Sequence, residues 1–496
     1  MSTCVAVDLG AQSGRVAVGR FDGERLEVSE AHRFPNVPVR TRGTLHWDIL
    51  RLYRDTLDGL RAAARDQDRI DAIAVDSWAV DFGLIDGKGR LVQNPVHYRD
   101  RRRAQAVESV LKLVPARELY ERTGIQLLPI NTVFELGAMA AERDRALEVA
   151  DTLLLVPDLI HYWLCGSRSS ERTNATTTQC FDPRAEGWAG DLLERLGISP
   201  GLMPEVVQPG TRLAHLDSEV AEETSIETAQ VIAAATHDTG SAVAAVPFAQ
   251  TGSAFISAGT WSLVGLEVDE PVINESTFAA NLTNEGGVAG TTRLLRNVTG
   301  LWLVHECQRS WATEGRHYSF EELVVLAEQA PPLRALIDPD DQLFVEPGDM
   351  PARVRKFCVA TGQDEPQEPG AVVRCILASL ALGHGRAIRS LSAATGATPP
   401  AIHMVGGGAR NSLLCQLTAD ATGLPVLAGP YEATLLGNLL VQVMALGELS
   451  SIEEARAVVR RSFAPMTFEP RESAAWPEAR QRFETLSTRS PEKVGA

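Results

Sequence analysis

Residues 5–15 read VAVDLGAQSGR, and the segment after them decides the fold. Residues 5–8 form an apolar strand that ends on Asp8, and a small polar turn then leads into RVAVGRF (15–21). The alternation of that second segment is the alternation of a strand. FDGE (21–24) supplies an Asp-Gly hairpin turn, and RLEVSEAHRF (25–34) reads as a third strand. The glycine-bearing turn therefore joins two antiparallel strands. A dinucleotide fingerprint and a P-loop both require a helix directly after their glycines, and the P-loop also requires Gly-Lys-Ser/Thr. Neither condition is met.

Outward from this hairpin, apolar residues Ile49, Leu50, Tyr53, Leu57 and Leu60 recur at helical spacing behind Asp48, a suitable N-cap. IDAIAVDSWAVDFGLID (70–86) reads as two strands around a turn, the first of them central. AQVIAAATHDTGSAVAAVP (229–247) is a strand running into small residues. SAFISAGTWSLVGLE (253–267) repeats the opening layout of strand, small-residue turn and strand. AIHMVGGGARNSLLCQLTADATG (401–423) adds a strand, three glycines and an amphipathic helix with Leu413, Leu414, Leu417 and Ala421 inward and Gly423 at its end. Two halves that open alike predict duplicated domains around a cleft. The boundaries expected are 1–245, 246–450 and a tail, 451–496, packed on the second domain. Its last stretch, SPEKVGA, reads as frayed.

The bulk numbers agree with this. A chain of 496 residues, 44% hydrophobic and 22% charged, has enough material for more than one core. A net charge of −17 argues against nucleic acid as a partner, and the densest basic cluster, Arg99–Arg103, reads as a solvated surface. No apolar run approaches the ~18 residues that span a bilayer, and MSTCVAVDLG lacks the basic segment of a secretory leader. Seven scattered cysteines point to a reducing cytoplasm, with Cys358 and Cys375 read as buried small hydrophobes.

Each candidate motif has two readings. Asp8 at a strand end calls for a cation, and the amides of residues 10–14 suit a phosphate, yet the same glycines also serve a tight hairpin. Ser257–Thr260 repeats that choice. Gly406–Gly408 suits close approach of a purine or ribose, or close helix–sheet packing. His237-Asp238 presents a carboxylate where a strand meets small residues, either as a helix cap or as a cleft group, with His237 as a hydrogen-bonding partner. Asp76-Ser-Trp-Ala-Val-Asp81 supplies acceptors and an indole for a polyhydroxylated ligand, or a core tryptophan between acids.

Taken in order, VAVDLGAQSGRV, HWD, DSWAVDFGLID, YRD, TGIQLLPINT, TNATTTQ, THDTGSAV, SAGTWSLVG, TNEGG, NVTGLWL and VGGGARNSLLCQLTADATGLPVLAGPYEATLLGN resemble the FGGY family of carbohydrate kinases from residue 5 to about 447. The resemblance implies an α/β protein of two actin-like (ribonuclease H-like) domains with a catalytic cleft between them. It implies phosphate contacts from Ala11, Gln12, Ser13, Gly14 and Arg15, Mg²⁺ near Asp8, and nucleotide contacts from Thr260, Asn297 and Gly407. Ala79, at a family glycine, would surround the sugar with His237, Asp238 and Thr239, beside Asp76 and Trp78. Asp238 would be the catalytic base. The implied reaction is ATP-dependent phosphorylation of a ketose, L-rhamnulose first, with L-fuculose or L-xylulose as alternatives and a non-catalytic sugar sensor as a reading of another class. Partners implied are the ketose and ATP, without nucleic acid or membrane, in a monomer or homodimer. Ala79 for glycine and His305 for an expected glutamine depart from the family, and the NTVFEL region lacks the lysine-bearing signature of its broader membership.

Overall fold

In a computed structural model of the chain, residues 2–248 and 250–488 are described; the expected fraying of 490–496 lies outside them. Residues 2–9, 13–21 and 26–35 form the antiparallel meander read from the sequence. Strand 2–9 also pairs in parallel with 72–77, and 72–77 pairs in parallel with 230–233. With 211–215 on the outer side, the sheet order is 211–215, 230–233, 72–77, 2–9, 13–21, 26–35. Residues 70–76 were expected to be central, and their strand is. The reason is burial on both faces: every residue from Ala72 to Ser77 is buried. Its partner in the expected pair, 82–86, joins a separate three-stranded sheet between 91–93 and 150–155.

The second sheet repeats the plan. Strand 254–258 pairs antiparallel with 261–268 and parallel with 402–405. Strand 402–405 pairs in parallel with 426–428, which is antiparallel to 466–468. Each sheet therefore carries a hairpin, a parallel neighbour, a further parallel strand and an antiparallel edge, in the same order. The duplication inferred from two similar turns extends through the sheets.

The chain forms two compact units, each built from three separate stretches. The first comprises Met1–Pro247, Glu267–Leu294 and Glu432–Ala464; the second comprises Phe248–Leu266, Leu295–Tyr431 and Pro465–Ala496. The reason is helix 433–446, which packs on the first sheet. Gln442 Nε2 donates to the Val5 carbonyl at 3.0 Å, and Gly19 is bare where Leu439 rests. The tail likewise divides. Helix 452–462 belongs to the first unit, where Arg456 meets Glu267 at 2.8 Å, whereas Trp476 and Phe483 of helix 475–488 join the second unit's core.

Helix 369–395 is long and apolar enough, by length and composition, to cross a membrane, contrary to the expectation that no segment would be. Its inner face, from Val372 to Leu382, is the centre of the second unit's core. The seven cysteines are free, six of them buried.

Candidate active site

In the first unit, three strand ends deliver the carboxylates. Asp8 lies opposite Asp76 in the parallel register and opposite Arg15 in the hairpin register. Strand 230–233 continues to His237, which bridges Ser77, and Asp238 opens helix 238–244. His237, with extended φ/ψ, is the N-cap, so the capping role expected of Asp238 falls one residue earlier. This frees the Asp238 side chain, which is 32% exposed.

The two oxygens of Asp238 are not equivalent. Oδ1 accepts the Thr239 hydroxyl at 3.1 Å and stands 3.4 Å from His237 Nε2. Desolvation pushes the Asp238 pKa above the usual carboxylate range; His237 opposes this and the charge of Asp8 adds to it. Asp76 is fully buried, and its pKa is raised well above the ordinary value, first by desolvation and then by Asp8, with Asp238 adding to the push. Asp76 Oδ2 accepts from Asn438 Nδ2 at 2.5 Å, while Oδ1 has no hydrogen-bond partner.

The predicted phosphate turn is closed by Gly10 N–H donating to Ser13 O at 3.0 Å. Asn36 buttresses it with two donated bonds: its backbone to Gln12 O at 3.0 Å and its side chain to Gly10 O at 2.9 Å. Gly14 is bare because a Cβ would lie 2.2 Å from the Phe34 ring, so packing explains that glycine. Ala11 is partly buried, Gln12 is exposed, and Ser13 begins the second strand. Arg15, expected on phosphate, is ion-paired with both Asp8 and Glu432. Glu432 and Asn438 were within the quoted run PYEATLLGN but carried no distinguishing signal; only the packing of their helix on the first sheet brings them here.

Trp78 is 6% exposed, and its Nε1 donates to Asp81 Oδ2 at 3.0 Å. The same oxygen accepts Trp47 Nε1 at 2.6 Å and Tyr98 N–H at 3.2 Å, and Oδ1 is paired with Arg103. Asp81 is therefore consumed internally, leaving Asp76 as the remaining acid of that turn. Arg103 is 1% exposed and also bridges to Glu135, so the basic cluster 99–103 is not the solvated face expected. Trp47 stacks between Trp78, at 4.1 Å, and His97, at 4.0 Å. Burial, with the charges of Arg99 and Arg103, pushes His97 down to about 3 and keeps that ring neutral. Ala79 is partly buried against this aromatic core, and its carbonyl accepts Asp81 N–H at 2.9 Å.

In the second unit, the turn at 259–261 docks on 300–302. Gly300 N–H donates to Thr260 O at 3.2 Å and Leu301 N–H to Gly259 O at 2.9 Å. Gly300 has no alternative, because a Cβ there would lie 2.6 Å from the Trp261 carbonyl carbon. Asn297 precedes this junction on strand 292–299. Gly406, at φ +83°, and Gly408 both press on Ala258, at 3.0 and 2.7 Å for an added Cβ. Gly407 between them meets nothing within 4 Å and is exposed. The outer two glycines of the triplet thus serve packing on Ala258, while nothing lies within 4 Å of a Cβ added at Gly407. His305 stands on helix 302–313, its N–H donating to Leu301 O at 3.0 Å and its ring 5.5 Å from Phe320, and burial lowers its pKa.

The model of the FGGY family of carbohydrate kinases, N-terminal domain, matches residues 3–245, and that of its C-terminal domain matches 254–446. A rhamnulokinase of Bacteroides thetaiotaomicron is 41% identical over 474 residues, covering 96% of this chain and 97% of the relative. One of Oceanobacillus iheyensis is 36% identical, covering 94% and 98%. The crystal structure of gluconate kinase from Lactobacillus acidophilus superposes with a TM-score of 0.80 at 16% identity, covering 99% of both chains. The chain belongs to the FGGY family of carbohydrate kinases, with the fold of the actin-like ATPases. It is a sugar kinase that takes ATP as its phosphoryl donor.

Proposed function

We propose that the chain transfers the γ-phosphoryl group of ATP to the 1-hydroxyl of L-rhamnulose, giving ADP and L-rhamnulose 1-phosphate in the cytoplasm. Its similarity to rhamnulokinases over nearly the whole chain supports this substrate. The observation that carries the mechanism is Asp238, a partly exposed carboxylate whose Oδ1 meets the Thr239 hydroxyl and His237 Nε2. Its Oδ2 accepts the sugar hydroxyl proton as the new O–P bond forms and the bond from the γ-phosphorus to the β,γ-bridging oxygen breaks. Such a base contributes typically ~10²–10⁴-fold.

His237 and Thr239 hold Asp238 and flank the sugar, while Trp78 and Ala79 line its apolar side. Ala11–Arg15 are assigned to phosphate oxygens, and Thr260, Asn297 and Gly407 to the nucleotide. Ligand phosphates would draw Arg15 from its carboxylate partners.

Asp8 lies beside Asp76 in the parallel register, and Arg15 pairs with both Asp8 and Glu432. The unpartnered Asp76 Oδ1 beside Asp8 offers the hard oxygen donors that suit Mg²⁺. Among the described residues no three His, Cys, Asp or Glu side chains converge on a metal position; Asp8 is the residue that would hold the ion. When bound, Mg²⁺ neutralises charge on the transferring phosphoryl group.

The test is ADP release across a panel of L-rhamnulose, L-fuculose and L-xylulose. Highest kcat/KM with L-rhamnulose is expected. Preference for another ketose would overturn the substrate, and no ketose-dependent release would overturn the kinase reading.

A further inference from the structure

His237 is held from both sides by residues outside the machinery described above. Arg293 is fully buried, and its Nε donates to Gly286 O at 2.8 Å. Its Nη2 reaches Thr173 O at 3.3 Å and stands 3.1 Å from His237 Nδ1. A guanidinium has donors and no acceptor, so this contact is a hydrogen bond only if Nδ1 is unprotonated. The neutral ring then carries its proton on Nε2, which faces Asp238 Oδ1 at 3.4 Å. Glu285 is also buried, its Oε2 3.2 Å from Arg293 Nη1 and 3.4 Å from His237 Nδ1. It supplies the countercharge that a buried guanidinium requires. As an acceptor near Nδ1 it would by itself favour a proton there, and the closer Arg293 donor opposes it.

The backbone is fixed as firmly as the ring. His237 N–H donates to Thr173 Oγ1 at 3.2 Å, and Glu171 accepts Thr236 N–H at 2.7 Å. With backbone and ring both pinned, the remaining freedom in this segment is the Asp238 carboxylate itself.

We propose that Arg293, balanced by Glu285, is a positioning residue: it sets the His237 tautomer so that Nε2–H restrains one oxygen of Asp238 and leaves the other for the sugar hydroxyl. The inference rests on Asp238 being the base. Arg293 is fully buried and acts through His237.

The experiment combines spectroscopy with kinetics on the full chain. In ¹⁵N-histidine-labelled protein, the His237 signal is assigned among the ten histidines by its loss in His237→Gln. The expected state has Nε2 protonated and Nδ1 bare, with a shift of the proton toward Nδ1 in Arg293→Met and none in Glu285→Gln. Arg293→Met is expected to lower kcat by roughly 10–100-fold, the cost of a misplaced reacting group, while KM for ATP is kept. In an Asp238→Asn background the same change should alter the residual rate by less than about 3-fold, because residues acting as one unit are not additive. A protonated Nδ1 in the parent overturns the proposal, as does an equal Arg293→Met factor in both backgrounds. If Arg293→Met does not fold, the parent tautomer still decides. Absence of transfer to any ketose would refute the kinase reading separately, since the tautomer is read without turnover.

Discussion

Gly437 is where the site is most exposed to a single methyl group. Helix 433–446 crosses helix 238–244 there, and a Cβ on Gly437 would lie 1.7 Å from Ser241 O and 2.6 Å from its carbonyl carbon. Side-chain Cβ atoms do not approach backbone closer than about 3.0 Å, so the two helices must part by roughly 1 Å. Neither can yield cheaply, because both contacts are backbone. Ser241 is tied to Ala235 O at 2.7 Å, and Asn438, the next residue along, holds Asp76. Moving the short helix moves Asp238, which begins it; moving the long one releases Asp76. Overpacking of this kind costs about 1–3 kcal/mol, and a 1 Å error in a reacting group costs about 10²-fold in rate. Gly437→Ala should therefore lower kcat by about two orders of magnitude in protein that still binds ATP, together with a lower unfolding midpoint. Gly87→Ala, where an added Cβ meets nothing within 4 Å, is the control and should behave as the parent. Parent-like kcat and midpoint in Gly437→Ala would refute the claim that this crossing sets the position of Asp238.

Further outcomes are expected elsewhere in the first unit. Arg103→Met leaves the buried Asp81 without its guanidinium, while Glu135 keeps Arg102, and should cost about 3–5 kcal/mol in denaturant unfolding; Arg101→Met, on the exposed side of the same cluster, should change stability by no more than about 0.5 kcal/mol. Ala79→Gly removes a partly buried methyl and adds backbone freedom of about 0.5–1 kcal/mol, so KM for the ketose should rise roughly 2–5-fold with KM for ATP unchanged. Asp158 is buried, and its pKa is raised well above the ordinary value by desolvation and then by the charge of Glu171. Its folded form holds a proton that the unfolded chain releases at about 3.9, so its contribution to stability is lost as pH rises through the folded value. The stability of Asp158→Asn relative to the parent should accordingly grow between pH 5 and pH 8, read as the difference in urea midpoints; a pH-independent difference would contradict the assignment.

Local pattern carried the fold further than it carried the site. The hairpin at 2–21 was legible because period-two alternation and an Asp-Gly turn are short-range signals. The repeat at 253–268 was legible for the same reason. Helix 433–446 was not assigned to the first unit, because an apolar helix does not record which sheet it covers. That one fact hid Glu432 and Asn438, both of which touch predicted site residues. Asp238 and its neighbours stood out by motif, yet their anchors, Arg293 and Glu285, are separated from them by about 50 residues of chain. A buried arginine looks in sequence like an exposed one, as Arg103 within the basic cluster demonstrates. Of the glycines, Gly14, Gly406 and Gly408 answer to Phe34 and Ala258, so their motif value came from packing.

The most direct test of the account is the ketose-dependent turnover of Asp238→Asn, measured with nucleotide affinity by calorimetry on the same protein. Asparagine keeps the shape at the head of helix 238–244 but cannot take a proton. The account predicts a fall of about 10²–10⁴-fold in kcat with ATP affinity and unfolding midpoint largely retained. Turnover within a few-fold of the parent would contradict Asp238 as the base.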